Sequence, residues 1–418
     1  MTDPDLEEVV IGIPISEPRD GLPLLITQVA QLADAAKKLA GGTGPVALDA
    51  ERASGFKYSG RAYLVQLRRA GSGSFLIDPI QFADLVPIQE ALTGVDWILH
   101  AASQDLVCLR ELGLTPTAAL YDTELAGRLL GLERVGLGPL VLAELGFALA
   151  KEHSAADWST RPLPEQWLNY AALDVEFLLE LWAKLEVQLV TEKKYEAAIQ
   201  EFNFVRDNTN PIVRPEAWRR TSGLHAARSA RALAIVRSLW HTRDRIAKSE
   251  DIASGRILPD SILVSIAQEA AQSDVDVPNL ESLAGRLTRR NRQKWISAVE
   301  QALALAETEL PETRVKSTAP PPPRTWQDRN PKAWAQLEQV RHVIASLSEQ
   351  LSIPVENLIT PDTVRRIIWT PPQSEEQLAQ ELTKFGVRPW QRELIEPALK
   401  QALFEPLIST EPQRVAEQ

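Results

Sequence analysis

The sequence predicts an α/β domain at residues 22–205, followed by two all-helical blocks. Three observations support this fold class: three strand-like runs follow one another between residues 46 and 78, helical and strand-like segments then alternate, and the strand signal disappears after Pro215. Apolar residues make up 44% and charged residues 24% of the 418 residues, which is typical of a globular protein. This composition excludes a fibrous or wholly disordered chain.

The predicted strands of the first domain alternate with helices after an opening of three strands. Turn residues at 71–74 join the second and third strands as a hairpin. The predicted strands lie at 46–50, 62–68, 75–78, 97–100 and 119–122. The predicted helices lie at 24–39, 82–92 and 103–112, and helical segments dominate from 123 to 204.

Composition and helical periodicity divide the rest of the chain. Residues 1–21 are acidic and contain proline and glycine, which predicts a flexible N-terminus. Amphipathic segments at 225–250, 259–272, 278–287 and 292–309 predict a helical domain at 215–310. Four consecutive prolines at 320–323 predict an extended linker at 311–331. A second helical domain is predicted at 332–405, before a polar tail at 406–418.

The formal net charge of −11 hides an uneven distribution of charge. Residues 206–248 carry ten basic and three acidic side chains. A second basic cluster consists of Arg286, Arg289, Arg290, Arg292 and Lys294. Because salt screens charges beyond ~8–10 Å, such a face can attract phosphate even on an acidic protein. A solvated helix surface is the alternative interpretation.

The chain carries no feature of a secreted or membrane protein. Its single cysteine excludes a disulfide scaffold and a cysteine-ligated zinc site, and it fits a reducing compartment. No apolar run reaches the ~18 residues of a membrane span, and residues 1–5 lack the basic start of a signal peptide. We therefore expect a cytoplasmic protein without a membrane partner, and the sequence does not identify protein partners.

Two carboxylates end the first predicted strand. Side chains alternate along a strand, so Asp49 and Glu51 project from the same face. Like charges held so closely repel each other, and a proton, a cation or full solvent access must compensate. Two exposed acids at a strand end are the alternative interpretation.

Three further polar side chains lie on two later helices. Asp105 opens the helix after the strand at 97–100, where an acid also complements the helix dipole. Tyr170 and Asp174 are four residues apart, so on a helix they share one face. A surface tyrosine beside a charged neighbour is the alternative. The apolar residues at 171–173 disfavour it, because an unpaired carboxylate in a packed helix is costly.

These candidates are all oxygen donors, which favour Mg²⁺ or Mn²⁺ over zinc. Several shared carboxylates suit a pair of divalent cations, an arrangement used for in-line phosphoryl displacement. The chain contains no Walker-type phosphate loop, no Gly-x-Ser-x-Gly motif and no HExxH motif. His153 has no ligand-like partner at a suitable spacing.

The order and spacing of these groups resemble the ribonuclease D family, which are DEDD-type 3′–5′ exonucleases of the tyrosine subclass. The matching segments are 48–51 with 63–67, 100–106, 121–131, 157–163 and 170–175. The resemblance covers residues 22–205. The later blocks resemble HRDC domains, small helical nucleic-acid-binding modules, through segments 239–244, 257–260 and 353–359.

The resemblance implies a ribonuclease H-like exonuclease domain, with a mixed sheet flanked by helices, and two HRDC-type domains. It implies that two divalent cations, Mg²⁺ or Mn²⁺, are bound by Asp49, Glu51, Asp105 and Asp174. Tyr170 would orient the attacking water, and Glu51 would also accept a hydrogen bond from the terminal 3′-hydroxyl. Further candidates are Lys57 and Arg161 for phosphate contacts, and Phe56, Tyr63 and Trp158 for base stacking or for core packing.

The implied activity is release of nucleoside 5′-monophosphates from single-stranded 3′ ends of RNA, with transfer-RNA precursors as the family substrate. Two alternatives remain open. A DNA 3′–5′ exonuclease would use the same metal chemistry, because only contacts to the 2′-hydroxyl separate the two substrates. A non-catalytic nucleic-acid binder would be marked by a missing carboxylate, and all four are present.

Overall fold

The computed structural model describes residues 12–150, 155–211, 214–272, 291–314 and 319–405. None of the helices in this part of the chain is both long and apolar enough to cross a membrane. Several predictions fall outside the described residues. They concern residues 1–11 of the acidic N-terminus, His153, the helix at 278–287, the basic residues Arg286, Arg289 and Arg290, and the tail at 406–418.

A mixed six-stranded sheet forms the centre of the first domain. In chain order the strands are β1 (Ile13–Ile15), β2 (Leu25–Ile26), β3 (Thr43–Arg52), β4 (Ala62–Ala70), β5 (Gly73–Ile77), β6 (Trp97–Leu99), β7 (Leu120–Asp122) and β8 (Phe147–Leu149). The large sheet has the order β2-β5-β4-β3-β6-β7; β4 is antiparallel to both neighbours, and the other pairs are parallel. The predicted α/β fold with a mixed sheet is therefore confirmed.

Helices cover both faces of this sheet. They are α1 (Val29–Ala40), α2 (Val86–Ala91), α3 (Leu106–Glu111), α4 (Thr123–Leu129), α5 (Leu137–Leu145), α6 (Glu165–Glu176), α7 (Leu178–Thr191) and α8 (Tyr195–Asn208). Val46, Leu48 and Ala50 of β3 share a buried cluster with residues of α1, α2 and α3. Ala47 packs on the other face, with residues of α4, α6 and α7. Strand alternation therefore places Asp49 and Glu51 on the α6 face.

The prediction of a helix at 24–39 is wrong at its start. Residues 25–26 form β2, which pairs in parallel with β5 at the edge of the sheet. The helix begins later, where the Gln31 side chain accepts hydrogen bonds from the backbone N–H groups of Thr27 and Gln28. An apolar run of this length suits a strand or a helix, and only a tertiary partner decides between them.

Two further strands were not predicted. β1 pairs in parallel with β8, which lies within the region predicted to be helical. Because β1 lies within residues 1–21, the predicted flexibility is wrong for residues 13–15. Arg19 is also fixed, since its Nε atom lies 2.8 Å from the Glu176 carboxylate. Strands of three residues carry too little periodicity to be recognised from one sequence.

The remaining described elements are all helices. The first block contains α9 (Ala230–Glu250), α10 (Ser254–Ile257), α11 (Asp260–Gln272) and α12 (Arg292–Leu303). The second contains α13 (Trp326–Arg329), α14 (Pro331–Leu351), α15 (Val355–Leu358), α16 (Pro361–Trp369), α17 (Glu375–Lys384) and α18 (Pro389–Phe404). The predicted linker at 311–331 is not extended throughout, because α13 lies inside it and the Trp326 ring is fully buried, 4.8 Å from that of Trp369.

The second helical block shares a hydrophobic core with the first domain. Leu337 and Leu399 belong to the same buried cluster as Leu178 and Phe202. At Gly131 the backbone has φ +73°, and a Cβ there would collide with the Ser352 backbone, so this contact requires glycine. Removal of this block would therefore expose part of the core of the first domain.

A buried ion pair also joins the second block to α8. The Arg388 guanidinium donates two hydrogen bonds of 2.6 Å to the Glu201 carboxylate. The Glu201 side chain is only 5% exposed. We expect Arg388→Ala to reduce the free energy of unfolding by about 3–5 kcal/mol, because it leaves a carboxylate buried without its cation. Denaturant titration measures this effect.

A matched control is Arg341→Ala, which breaks the solvent-exposed pair between Arg341 and Glu338. Exposed pairs contribute only about 0–1 kcal/mol, so little change is expected. Equal losses for both variants would contradict a stabilising contact between the second block and the first domain.

Candidate active site

Three carboxylates converge at the end of β3. Asp49 and Glu51 stand on the α6 face of this central strand, and Asp174 comes from α6 above them. Oxygen atoms of the three side chains lie within 4.8 Å of one another. They line a cavity of about 260 Å³, and Glu51 is only 9% exposed. The alternative of two exposed acids at a strand end is therefore wrong.

Helix α6 supplies both of its polar groups from one turn. Ala171 and Ala172 are fully buried with Leu64 and Leu76 of the sheet, and their small side chains let the helix approach closely. Tyr170 lines the cavity beside Asp174, to which its hydroxyl donates a hydrogen bond. The spacing of four residues thus places the phenol and the carboxylate on the same side of the helix.

Asp105 reaches the same cavity from the start of α3. It occupies the N-cap position, yet its side chain makes no capping hydrogen bond to the helix. The residue is only 6% exposed, and its Oδ1 atom lies 3.6 Å from the guanidinium of Arg52. Its carboxylate does not serve as an ordinary helix cap, and it is available to the cavity.

The turn that carries Asp105 is fixed by Asp122, a residue that sequence reasoning missed. Its buried carboxylate accepts hydrogen bonds from the backbone N–H groups of Ala101 and Ala102 at 3.1 and 2.8 Å. It also caps α4 through the N–H groups of Glu124 and Leu125. Ala101 has φ +57°, an uncommon conformation that these bonds stabilise. In the sequence, Asp122 stands directly before a helical segment, and this position predicts a helix cap but not a bond to the turn at Ala101.

His100 also lines the cavity and was not predicted as a separate site residue. Its Nδ1 atom lies 2.9 Å from the hydroxyl oxygen of Thr123. Burial lowers the pKa of His100 to about 4, so its imidazole is neutral at physiological pH. Among the described residues that line the cavity, Arg52 is therefore the only cation.

The four carboxyl groups of the cavity cannot all ionise easily, because they are buried and lie close to one another. Burial raises the pKa of Asp49 to about 6. Burial and the neighbouring carboxylates raise the pKa of Glu51 to about 10. The pKa values of Asp105 and Asp174 are also raised, first by burial and then by the charge of Asp49. The protein alone does not compensate this charge, whereas divalent cations with oxygen ligands would. The donor set therefore fits the implied metal site.

Arg161 does not fit its predicted role. Its guanidinium donates two hydrogen bonds of 2.8 Å to the carboxylate of Asp78. Its other N–H groups donate to the backbone carbonyls of Trp158, Thr160 and Tyr63. All five N–H groups are thereby engaged, and none remains for a phosphate. The sequence could not show this, because Asp78 is 83 residues away.

The other predicted substrate contacts lie outside the lining of the cavity. Lys57 belongs to the loop at 53–61, which follows β3. Tyr63 and Trp158 are buried, and with partly buried Phe56 they pack in the cluster beneath α6. These rings therefore pack in the core, which was the alternative to base stacking.

Comparison with known families divides the chain into three parts. Residues 23–190 match a family described as 3′–5′ exonuclease, and residues 232–299 match the HRDC domain. Residues 319–403 match a family described as the 3′ to 5′ exonuclease C-terminal domain. The last match accords with the shared core of the second block and the first domain.

The chain is 32% identical over 272 residues to ribonuclease D from Cronobacter turicensis, covering 64% of this chain and 73% of the relative. The chain belongs to the ribonuclease D family. Its first domain is a 3′–5′ exonuclease domain, as predicted. Alignments with ribonuclease D from Sphingobium indicum and from Bartonella henselae span only 60% and 62% of those relatives.

Two solved structures resemble this chain over most of its length, and one of them is a ribonuclease D. A protein from Bifidobacterium adolescentis matches with a TM-score of 0.84 and 35% identity, covering 94% of this chain and 99% of that one. Escherichia coli RNase D, described as an exoribonuclease involved in structured RNA processing, matches with a TM-score of 0.68 and 27% identity. The match covers 91% of this ribonuclease D family member and 98% of the E. coli chain.

Proposed function

We propose that this protein is a metal-dependent 3′–5′ exoribonuclease that releases nucleoside 5′-monophosphates from single-stranded RNA ends. The observation that supports this most strongly is the carboxylate cluster of Asp49, Glu51 and Asp174, with Tyr170 and Asp105 on the same cavity. An intact cluster argues against a non-catalytic binder. Family membership supports RNA as the substrate, and transfer-RNA precursors are the expected class.

Asp49, Glu51, Asp105 and Asp174 would hold two divalent cations, Mg²⁺ or Mn²⁺, at the proposed site. Such ions, when bound, polarise a phosphate and activate a water molecule. Burial and the charge of Asp174 raise the pKa of Tyr170, so its phenol stays protonated and orients the water instead of removing its proton. Glu51 would accept a hydrogen bond from the terminal 3′-hydroxyl, which makes the reaction specific for ends.

A second cavity, in the HRDC domain, supports contact with the RNA backbone. It lies between α9 and α12 and has a volume of about 390 Å³. Arg245 and Lys294 line it together with Thr242, Ser249 and Ser297. Arg245 donates to the Thr242 hydroxyl at 3.2 Å, and the Ser249 hydroxyl donates to the Ile246 carbonyl. Two neighbouring cationic side chains suit phosphate oxygens. We call this cavity the α9–α12 groove.

A digestion ladder on 3′-extended transfer RNA tests the proposed function. The wild-type protein should shorten the RNA from its 3′ end one nucleotide at a time with Mg²⁺ or Mn²⁺, and should stop when a chelator is added. A DNA of the same sequence should be a poorer substrate. Faster digestion of the DNA would favour a DNA exonuclease, and no digestion with either ion would refute the proposed activity.

The α9–α12 groove makes a separate prediction. We expect the double variant Arg245→Gln/Lys294→Gln to bind long RNA more weakly, because two phosphate contacts are lost. The slope of log affinity against log salt should fall by about 0.7 per lost contact on a single strand. Binding titrations at several salt concentrations measure it. Arg341→Gln, on the exposed face of α14, is the control. An unchanged slope would place the RNA elsewhere.

A further inference from the structure

The loop at 53–61 joins β3 to β4 and contacts the HRDC domain. It begins directly after β3, whose last residues include Glu51 and Arg52. The pairing of β3 with β4 is irregular between these two residues. Glu51 pairs with Leu64 and Arg52 with Ala62, so Tyr63 is the extra residue of a bulge in β4, opposite the strand end that carries Glu51.

Asp251 of the HRDC domain binds both this loop and the start of the strand that follows it. One carboxylate oxygen accepts a 2.9 Å hydrogen bond from the backbone N–H of Ser59, and the other accepts a 3.1 Å hydrogen bond from the hydroxyl of Tyr63. Asp251 follows the last residue of α9 and has φ +47°. This left-handed conformation is uncommon for residues other than glycine, and it directs the chain toward the loop.

Neighbouring residues extend the contact along the loop. The backbone N–H of Ala253 donates to the carbonyl of Phe56 at 2.9 Å. Arg256 donates to the carbonyl of Gly55 at 2.7 Å, and its guanidinium lies 4.2 Å from the centre of the Phe56 ring. The hydroxyl of Tyr58 donates to Asp244 of α9 at 2.9 Å. The middle of the loop is thus bound at successive backbone positions.

Tyr63 extends the same contact to the other side of the active site. Its ring is buried in a cluster with Ala171 and Ala172 of α6, which carries Tyr170 and Asp174. Asp251 therefore contacts both the loop that follows Glu51 and a side chain packed beneath α6. A hydrogen bond to an ionised group is stronger than one between neutral groups, so these two bonds restrict both sides of the cavity.

We infer that Asp251 is a positioning residue for the exonuclease site, through which the HRDC domain sets the geometry of the metal-binding carboxylates. This inference rests on the proposed function. The HRDC domain then acts on turnover itself and not only on the capture of long RNA. Small displacements of reacting groups reduce rates strongly, up to about a hundredfold per ångström.

The test compares an RNA dinucleotide, which has one scissile bond, with a long 3′-extended RNA. Asp251→Gly removes both hydrogen bonds and suits the left-handed backbone, so the protein should fold. We expect kcat on the dinucleotide to fall about tenfold or more, with KM nearly unchanged. Unchanged dinucleotide turnover with a raised KM for long RNA would overturn the inference, because the HRDC domain would then only bind RNA.

A second variant tests the same inference even if Asp251→Gly proves to be unstable. Tyr63→Phe removes one hydroxyl and keeps the ring, and its kcat on the dinucleotide should fall in the same direction. The double variant should be no slower than Asp251→Gly, because both changes break one connection. Multiplied losses would overturn the inference. Glu300→Gln, an exposed acid on α12, is the control.

The experiment distinguishes failure of the proposed exonuclease function from failure of the positioning role of Asp251. A wild-type protein that is inactive on both RNAs would refute the exonuclease function. A wild-type protein that is active, with Asp251→Gly equally active on the dinucleotide, would refute only the positioning role of Asp251.

Discussion

The variant Asp49→Asn should lose nuclease activity while keeping its fold. Asp49 is central to the carboxylate cluster, and the loss of one anion weakens the binding of divalent cations that stabilise the transition state by several kcal/mol. Since each 1.36 kcal/mol is tenfold in rate, we expect kcat/KM on RNA to fall about a thousandfold or more. Single-turnover cleavage assays and Mn²⁺-binding titrations measure both effects.

The same variant should be more stable than the wild type when a chelator is present. The wild-type cluster then contains several carboxylates that burial and mutual repulsion keep from ionising freely, and Asp49→Asn removes one of them. Its melting temperature should therefore be higher without metal, and Mn²⁺ should raise it less. The control is Asp34→Asn on the exposed face of α1, where neither effect is expected. Full activity of Asp49→Asn in Mg²⁺ or Mn²⁺ would refute the proposed metal site.

The variant Tyr170→Phe should retain metal binding and lose most of the rate. The change removes only the hydroxyl, and the ring keeps its packing beside Trp158. If this hydroxyl orients the attacking water, kcat should fall about a hundredfold, a typical loss for one positioned catalytic group. KM for a short RNA and the affinity for Mn²⁺ should stay near the wild-type values.

Tyr121→Phe provides a matched control for Tyr170→Phe. Its hydroxyl donates to Asp96 at 3.1 Å, outside the lining of the active-site cavity. We expect no change in kcat for this variant. A large rise in KM with an unchanged kcat for Tyr170→Phe would show that the phenol binds the substrate and does not assist the reaction.

Local sequence signals were sufficient for much of the first domain. The β4–β5 hairpin was predicted because its turn residues lie at adjacent positions, 71–74. Strands β1 and β8 were missed because their pairing joins residues 13–15 to residues 147–149. Neither segment has a pattern of its own, and each is stabilised by the other and by the buried core on which Ile15, Phe147 and Leu149 pack.

In the site, too, local sequence patterns predicted some features, whereas others depend on distant segments. The shared face of Asp49 and Glu51 follows from the alternation along one strand, and that of Tyr170 and Asp174 follows from the helical repeat. The resemblance to the ribonuclease D family connected these pairs with Asp105. It gave no reason to expect that the five N–H groups of Arg161 would all be engaged within the protein.

The sequence by itself determined the chemical nature of the site, because the identity of the donors and their local periodicity are written in short segments. Only the tertiary structure decided how far apart the donors lie and which groups support them. Three supporting contacts join distant segments of the chain: Asp122 with the turn at Ala101, Asp251 with the loop at 53–61, and Glu201 with Arg388. Such contacts form when buried polar groups find partners in the folded chain, and no short-range pattern in the sequence specifies them.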